Sequence, residues 1–388
     1  MPDRITGQEV TVATAGESFR AFVPHPLPPA PDLAWDPELR GLAEQAAMAV
    51  GRLDGISALL PSPDIFLYAY VRKEAVVSSQ IEGTQSSLSD LLLFEMEAAP
   101  GVPVDDVQEV SNYVSALDHG LKRLREGFPL SLRLIKEIHA ILMSGARGGT
   151  KEPGEFRRSQ NWIGGSRPGN ARFVPPPPDQ LMDCLGALEK FLHGDPVATP
   201  ALVKAALSHV QFETVHPFLD GNGRLGRLLI TLILCAEGVM SEPLLYLSLY
   251  FKQHREDYYD LLQRVRKQGD WEAWMRFFLR GVKDTAELAV SSAKRLRSLF
   301  TEDATRLAAS GRISGNLLRA HQQLQSTPIL SVNALAKRMD LAVNTARSVL
   351  AQLQTLGIVR EITGGKYGRL YAYDAYLSIL SEGTEPLR

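Results

Sequence analysis

A nearly unbroken apolar run, Leu228-Leu229-Ile230-Thr231-Leu232-Ile233-Leu234, follows directly on a polar, glycine-bearing stretch from His216 to Arg227. A helix without a polar face must be buried on all sides, so the fold has to close around this run. The stretch before it reads as a polar loop that opens the buried helix. Within it stand a base, a carboxylate, a glycine turn and two arginines.

That combination points to phosphate chemistry. Gly221 and Gly223 let the backbone take conformations that a side chain forbids, and their amides can turn inward as an anion nest. The helix that follows adds its free N–H groups and positive dipole end. Arg224 and Arg227 stand three apart, so both can lie on one helical face. Two guanidiniums suit a chain of phosphates better than a lone carboxylate. Asn222, Leu225 and Gly226 fill the remaining places from Gly221 to Arg227. Asp220 offers a hard oxygen to Mg2+, which one or two carboxylates and substrate phosphates usually hold. His216 ordinarily titrates near neutrality, as a general base should. Phe218 reads as the apolar plug that holds the loop.

The stretch resembles the core motif of the Fic family, His-x-Phe-x-(Asp/Glu)-Gly-Asn-Gly-Arg-x-x-Arg, at every fixed position. The resemblance implies transfer of AMP from ATP to a tyrosine, threonine or serine hydroxyl of a target protein, with self-modification included. By it His216 deprotonates the hydroxyl, Asp220 holds Mg2+, and Gly221, Asn222 and Gly223 cradle the phosphates. Arg224 and Arg227 hold the departing pyrophosphate, and the resemblance implies that Leu225 and Gly226 between them belong to the same phosphate-binding stretch. The Doc-like branch, which phosphorylates its target, carries a different glycine loop. The implied fold is mainly α, a helical domain with a small β-hairpin flap.

Upstream, Ser78-Ser79-Gln80-Ile81-Glu82-Gly83 closes a helix expected over Asp64 to Ile81, with Ser62 as its cap and Pro63 at its first position. Ser78 and Glu82 share a face. A glutamate at this negative end of the dipole is unfavourable. The segment resembles the family's inhibitory motif, (Ser/Thr)-x-x-x-Glu-(Gly/Asn), through Ser78, Glu82 and Gly83. The resemblance implies that Glu82 pairs with Arg227 and competes with the γ-phosphate.

Elsewhere the chain supplies context. Residues 1–35, rich in proline from Pro24 to Pro31, read as an extended strap. Helical spacing runs from Pro37 to about Leu60, through Val107–Leu124, and through Leu130–Met143 with Ser131 as a cap. Gly145, Gly148 and Gly149 open a polar connection. Two β-capable runs, around Trp162-Ile163 and Arg172-Phe173-Val174, flank a Gly/Pro/Asn turn, which is a hairpin signal. The family has a flap here, centred near Ile163 and Gly164, whose edge receives the target as an added strand. Leu181–Leu192 and Pro200–Thr214 read as helices, the second carrying a structural His209. A helix over Tyr246–Arg266 carries Tyr258 and Tyr259, one of which the resemblance sets against the nucleotide. One or two helices span Trp271 to about Phe300.

From Ser331 the pattern changes. A short helix over Val332–Met339, capped by Ser331, a turn at Asp340-Leu341 and a second helix over Val343–Leu356 precede two β-runs, Ile358–Ile362 and Arg369–Tyr373. This resembles a winged helix-turn-helix, preceded by a helix over about Ile313–Gln325. Residues 331–373 carry six basic against two acidic residues, +4 on a chain of formal charge −2. Thr345, Arg347 and Ser348 are candidates to face a major groove and Lys366 to touch phosphate. DNA is one expected partner of this module and a protein, or a second copy, the alternative. The expected divisions are 1–105, 106–290 and 291–388.

The 45% apolar and 22% charged composition is that of a soluble globular protein. Cys184 and Cys235 read as small core residues rather than a disulfide or metal framework. No apolar run reaches membrane-spanning length and Met1–Val10 has no apolar signal core, so a cytoplasmic location is expected. Two other functions fit the sequence: hydrolytic removal of AMP with Glu82 orienting water, and a nucleotide-sensing transcriptional regulator. The inhibitory class also implies a homodimer.

Overall fold

The computed structural model describes residues 4–14, 16–58, 63–96, 101–145, 150–309, 315–364 and 368–386. The order of elements is β1 Gly7–Thr14, β2 Glu17–Pro24, α1 Pro37–Ala58, α2 Pro63–Ile81, α3 Leu88–Glu95, α4 Val104–Arg125, α5 Leu132–Leu142, α6 Pro178–Leu192, α7 Ala201–Val215, α8 Asn222–Ala236, α9 Ser248–Gln253, α10 Arg255–Gln268, α11 Trp271–Ala309, α12 Gly315–Ser326, β3 Ile329–Ser331, α13 Val332–Met339, α14 Val343–Thr355, β4 Arg360–Glu361, β5 Leu370–Ala372 and α15 Asp374–Ser381.

The apolar run organises the core as expected. Helix α8 is buried continuously from Arg224 to Leu234. It packs against α7, α4, α5 and α2. The neighbours are amphipathic: α4 buries Val107, Val110, Val114, Leu117 and Leu121 at alternating spacings of three and four. Ser131 caps α5 by accepting from the Leu134 amide. Helix α11 is one 39-residue helix, about 58 Å long at 1.5 Å per residue. It lies along α1 and also meets α7, α9, α12 and α15.

Several expectations are corrected. The first residues are not a featureless strap, because β1 and β2 form an antiparallel hairpin from Gly7↔Pro24 to Thr14↔Glu17. Val10 and Val12 alternate along one strand and the buried Phe19 and Ala21 along the other, packing onto Val174. That two-residue period is the strand signal; the prolines crowd in only after it. The expected Tyr246–Arg266 helix breaks at His254, which leaves the helical region at φ −115°, ψ 41°. Glu256 and Asp257 then favour a new N-terminus for α10. The expected flap strands reduce to one antiparallel bridge, Ile163↔Phe173, around a 3-10 turn at Pro168–Asn170.

In the C-terminal part Ser331 caps α13 through the Ala334 amide, and Asp340 turns the chain at φ 52°. The sheet has three strands in the order β3-β5-β4, with β3 unforeseen. Thr345, Arg347 and Ser348 are exposed on α14. Helix α15 was also unforeseen, and it packs on α2, α3 and α11. Ser62, Gly148, Gly149 and Lys366 lie outside the described residues. Both cysteines are free, Cys184 buried and Cys235 half-buried. Among the described residues no helix is long and apolar enough to cross a membrane.

Candidate active site

Helix α7 ends at His216, whose backbone turns left-handed at φ 47°. The turn lifts the imidazole out of the helix and starts the loop. Gly221 closes it at φ 74°, where a side chain would come within 2.5 Å of Met143 Sδ. No side chain caps α8, which leaves its first-turn amides available to an anion.

The loop is braced from within. Phe218 is fully buried, and its ring stacks on His139 at 3.7 Å between centroids. The Asn222 side chain donates to the Phe218 carbonyl at 2.8 Å and accepts from its amide at 2.9 Å. The side chain of Asn222 is therefore a brace, and only its backbone remains for phosphate. Gly226 is likewise a packing residue, since a Cβ there would meet Glu213 Oε1 at 2.4 Å. Leu225 is buried in the core.

Three braces escaped the sequence reading. His139 accepts from the Gly154 amide at Nδ1, so Nε2 carries the proton and donates to the Asp220 carbonyl at 3.1 Å. Burial, with Arg224 nearby, pushes its pKa down to about 4, which keeps that tautomer neutral. Arg157 donates to the His216 and Pro176 carbonyls, at 3.0 and 2.6 Å. Asn161 reaches the His216 and Phe218 carbonyls at 3.1 and 2.9 Å. The flap thus holds the loop through its own base. A polar residue distant in sequence that satisfies loop carbonyls leaves no local signal.

His216 is partly exposed at the rim of this loop. Burial of its ring, then Arg266 and Arg157, push its pKa down to about 3, against the Glu213 carbonyl and Glu82. That shift holds the imidazole neutral at pH 7 and makes it a weaker base than a solvated histidine. Asp220 is exposed beside it, and one carboxylate oxygen accepts from the Gly221 amide at 2.6 Å. Among the described residues no group of three or more potential ligands gathers into a metal cage. A lone outward carboxylate fits Mg2+ carried mainly by phosphates and water.

The two arginines differ. Arg224 is buried and pairs with Glu109 of α4 at 3.1 Å. Arg227 is 1% exposed and donates to the Ser78 hydroxyl and carbonyl, each at 2.9 Å, and to Glu82 Oε1 at 2.7 Å. Burial alone would raise the Glu82 carboxyl, yet Arg227, with Arg224 and His216 behind it, holds it below the usual carboxylate range. A Cβ on Gly223 would lie 2.3 Å from Glu82 Oε1. The carboxylate therefore sits against the first turn of α8, where an anion would bind. Gly83, at φ +103°, ends the turn that delivers it.

Tyr258 and Tyr259 separate clearly. Tyr258 is 1% exposed; it stacks on Phe251 and donates to His209 Nε2 at 2.8 Å. It is a core residue, and its hydroxyl is occupied by His209, itself structural as expected. Tyr259 is half-buried, so of the pair it alone presents part of its side chain to the surface.

Residues 41–122 match the model described as Fic/DOC family N-terminal, and residues 129–234 match the model described as Fic/DOC family. The chain carries a Fic/DOC N-terminal segment followed by a Fic/DOC segment. The Fic match covers His139, the flap and the whole core motif. The protein adenylyltransferase Fic of Aedes aegypti is 31% identical over 220 residues, 56% of this chain and 41% of that protein. The one from Culex quinquefasciatus is 30% identical over the same shares. The matched region spans about two fifths of these relatives. A Fic family protein from Desulfovibrio desulfuricans has the same fold at TM-score 0.57, 20% identity, and 88% of this chain against 97% of that one. A Fic domain containing signaling protein from Bacteroides thetaiotaomicron gives 0.51 at 18% identity, with 65% and 97% covered.

Proposed function

We propose that this Fic protein transfers AMP from ATP to a hydroxyl of a target protein, and that Glu82 holds it in check. The observation that carries the reading is the Glu82 carboxylate on Arg227 at the mouth of α8. An anion held by an arginine at a helix N-terminus occupies the place of a phosphate. The curated relatives are named protein adenylyltransferases.

In this reading the neutral His216 takes the proton from the target hydroxyl. The hydroxyl oxygen then bonds to the α-phosphorus as the bond to pyrophosphate breaks. The amides of Asn222 and Gly223 and the guanidiniums of Arg224 and Arg227 receive the β- and γ-phosphates, while the Gly221 amide, already bonded to Asp220, shapes the loop. Asp220 would hold Mg2+, whose charge offsets that of the phosphates. While Glu82 stays on Arg227, the γ-phosphate meets a carboxylate instead of a cation. In this reading the target strand adds to the flap beside Ile163 and Gly164; the Ile163 backbone is itself paired with Phe173, and Val174 accepts from the Phe22 amide of β2.

The test is label transfer with Mg2+, comparing α- and γ-labelled ATP. The α label alone should reach protein, rise at least tenfold in Glu82→Gly and fall below detection in His216→Ala. Transfer of the γ label would make the protein a kinase, and unchanged transfer in Glu82→Gly would remove the brake.

A further inference from the structure

Helix α2 does not end freely. Gln80, two residues before Glu82, is 1% exposed. Its side-chain amide donates to the Ser86 carbonyl at 2.8 Å and to the Thr384 carbonyl at 2.7 Å. Its side-chain oxygen accepts from Lys252 Nζ of α9 at 2.7 Å. Lys252 also donates to the carbonyls of Gly383 and Glu385. The Gln80 backbone carbonyl accepts from the Gly83 amide at 3.1 Å, within the turn that delivers Glu82. One buried side chain thus joins the end of α2, the turn to α3, and, through Lys252, α9 and residues 383–385. Next to this segment, Glu382 is forked by Arg295 of α11 at 2.7 and 2.8 Å.

We propose that residues 383–385, acting through Gln80 and Lys252, latch the end of α2 and so position Glu82 on Arg227. The inference rests on the reading of Glu82 as a brake. Every amide proton and the oxygen of Gln80 are spent on segments that are remote from one another. Swinging Glu82 off Arg227 moves the backbone of Gln80, and each buried partner left unsatisfied opposes that motion. Gln80 and Lys252 are positioning residues, because their side-chain hydrogen bonds go to Ser86, to residues 383–385 and to each other, and act on Glu82 through the backbone of α2. Helix α15, which leads into the latch, belongs to the C-terminal part of the chain, so displacement of that part would release the brake.

The experiment uses the full chain with Gln80→Met and Lys252→Met, each alone and combined with Glu82→Gly. Transfer of the α label and amide hydrogen exchange over residues 78–86 are both read. Each single variant should raise transfer about fivefold, the low end of a typical coupling between sites, and should speed exchange at the end of α2. In the Glu82→Gly background neither should add anything, since no brake remains. A variant that merely damaged the fold would lower transfer in both backgrounds. The proposal is overturned if folded Gln80→Met and Lys252→Met proteins transfer at the wild-type rate while Glu82→Gly is faster. An equal gain in both backgrounds overturns it too. Should one variant not fold, the other decides. If Glu82→Gly itself changes nothing, the brake reading fails first, and the latch with it.

Discussion

Ser78 serves Arg227 twice, once through its hydroxyl and once through its carbonyl. Ser78→Ala would leave a buried guanidinium N–H without its acceptor. Hydrogen bonds to charged groups contribute about 1.5–3 kcal/mol. Denaturant unfolding should show a loss of that size, and a loss under about 0.5 kcal/mol, the scatter of neutral surface changes, would mean that Arg227 finds another partner. His209 gives a residue-scale test of burial. Its Nδ1–H donates to the Gly226 carbonyl at 3.0 Å, and burial pushes its pKa down to about 3. The unfolded chain takes up that proton below about pH 6.5, while the folded chain stays neutral. This histidine therefore costs stability progressively as the pH falls from about 6.5 toward 3. His209→Gln escapes that cost, so its stability deficit relative to wild type should shrink by about 2 kcal/mol between pH 7.5 and pH 5. An unchanged deficit would show that His209 is protonated in the fold. The difference between the two proteins is the right quantity. Burial raises Glu74 and Glu213 to about 7, and these act in the opposite sense on the whole-protein curve.

At the scale of elements, the flap and the core loop form one mechanical unit. Asn161 and Arg157 satisfy carbonyls on both sides of Pro217. Neither side chain lies among the phosphate-binding residues. Asn161→Ala should loosen the seat of His216 and leave nucleotide binding intact. We expect transfer by the Glu82→Gly form to fall about tenfold or more, as misplacement of a reacting group commonly does, with the KM for ATP unchanged. A rise in KM at constant kcat would reassign Asn161 to the nucleotide. Helix α2 works the same way on the other side: its last turn is where Ser78, Gln80 and Glu82 act, and all three depend on what lies against it.

For the molecule as a whole, α8 is the axis and α11 the spine. Helix α11 runs unbroken from the neighbours of α7 to those of α12 and α15. A rigid helix of that length carries displacement between the two ends better than a linker would. If the exposed face of α14, with Thr345, Arg347 and Ser348, binds DNA, affinity should fall steeply with salt. Binding would then be measurable by titration at two salt concentrations, and a signal equal on all sequences would deny it a specific role.

Short-range physics made much of this protein legible from its residues. An apolar run without a polar face had to become the buried α8. The glycines and arginines before it read as an anion site. Ser131 and Ser331 had to cap, because their hydroxyls stand before helical spacing. The pairing of Glu82 with Arg227 was legible only because two motifs resembled a family, since nothing local joins residues so far apart. The rest depended on packing. His139, Arg157 and Asn161 hold the loop by bonds to backbone carbonyls, which any sequence possesses. Burial, and not spacing, sent Tyr258 to the core and left Tyr259 half-buried. The bond from Gln80 to Thr384 joins segments 304 residues apart in sequence. Only a closed tertiary structure brings such groups within reach of a hydrogen bond.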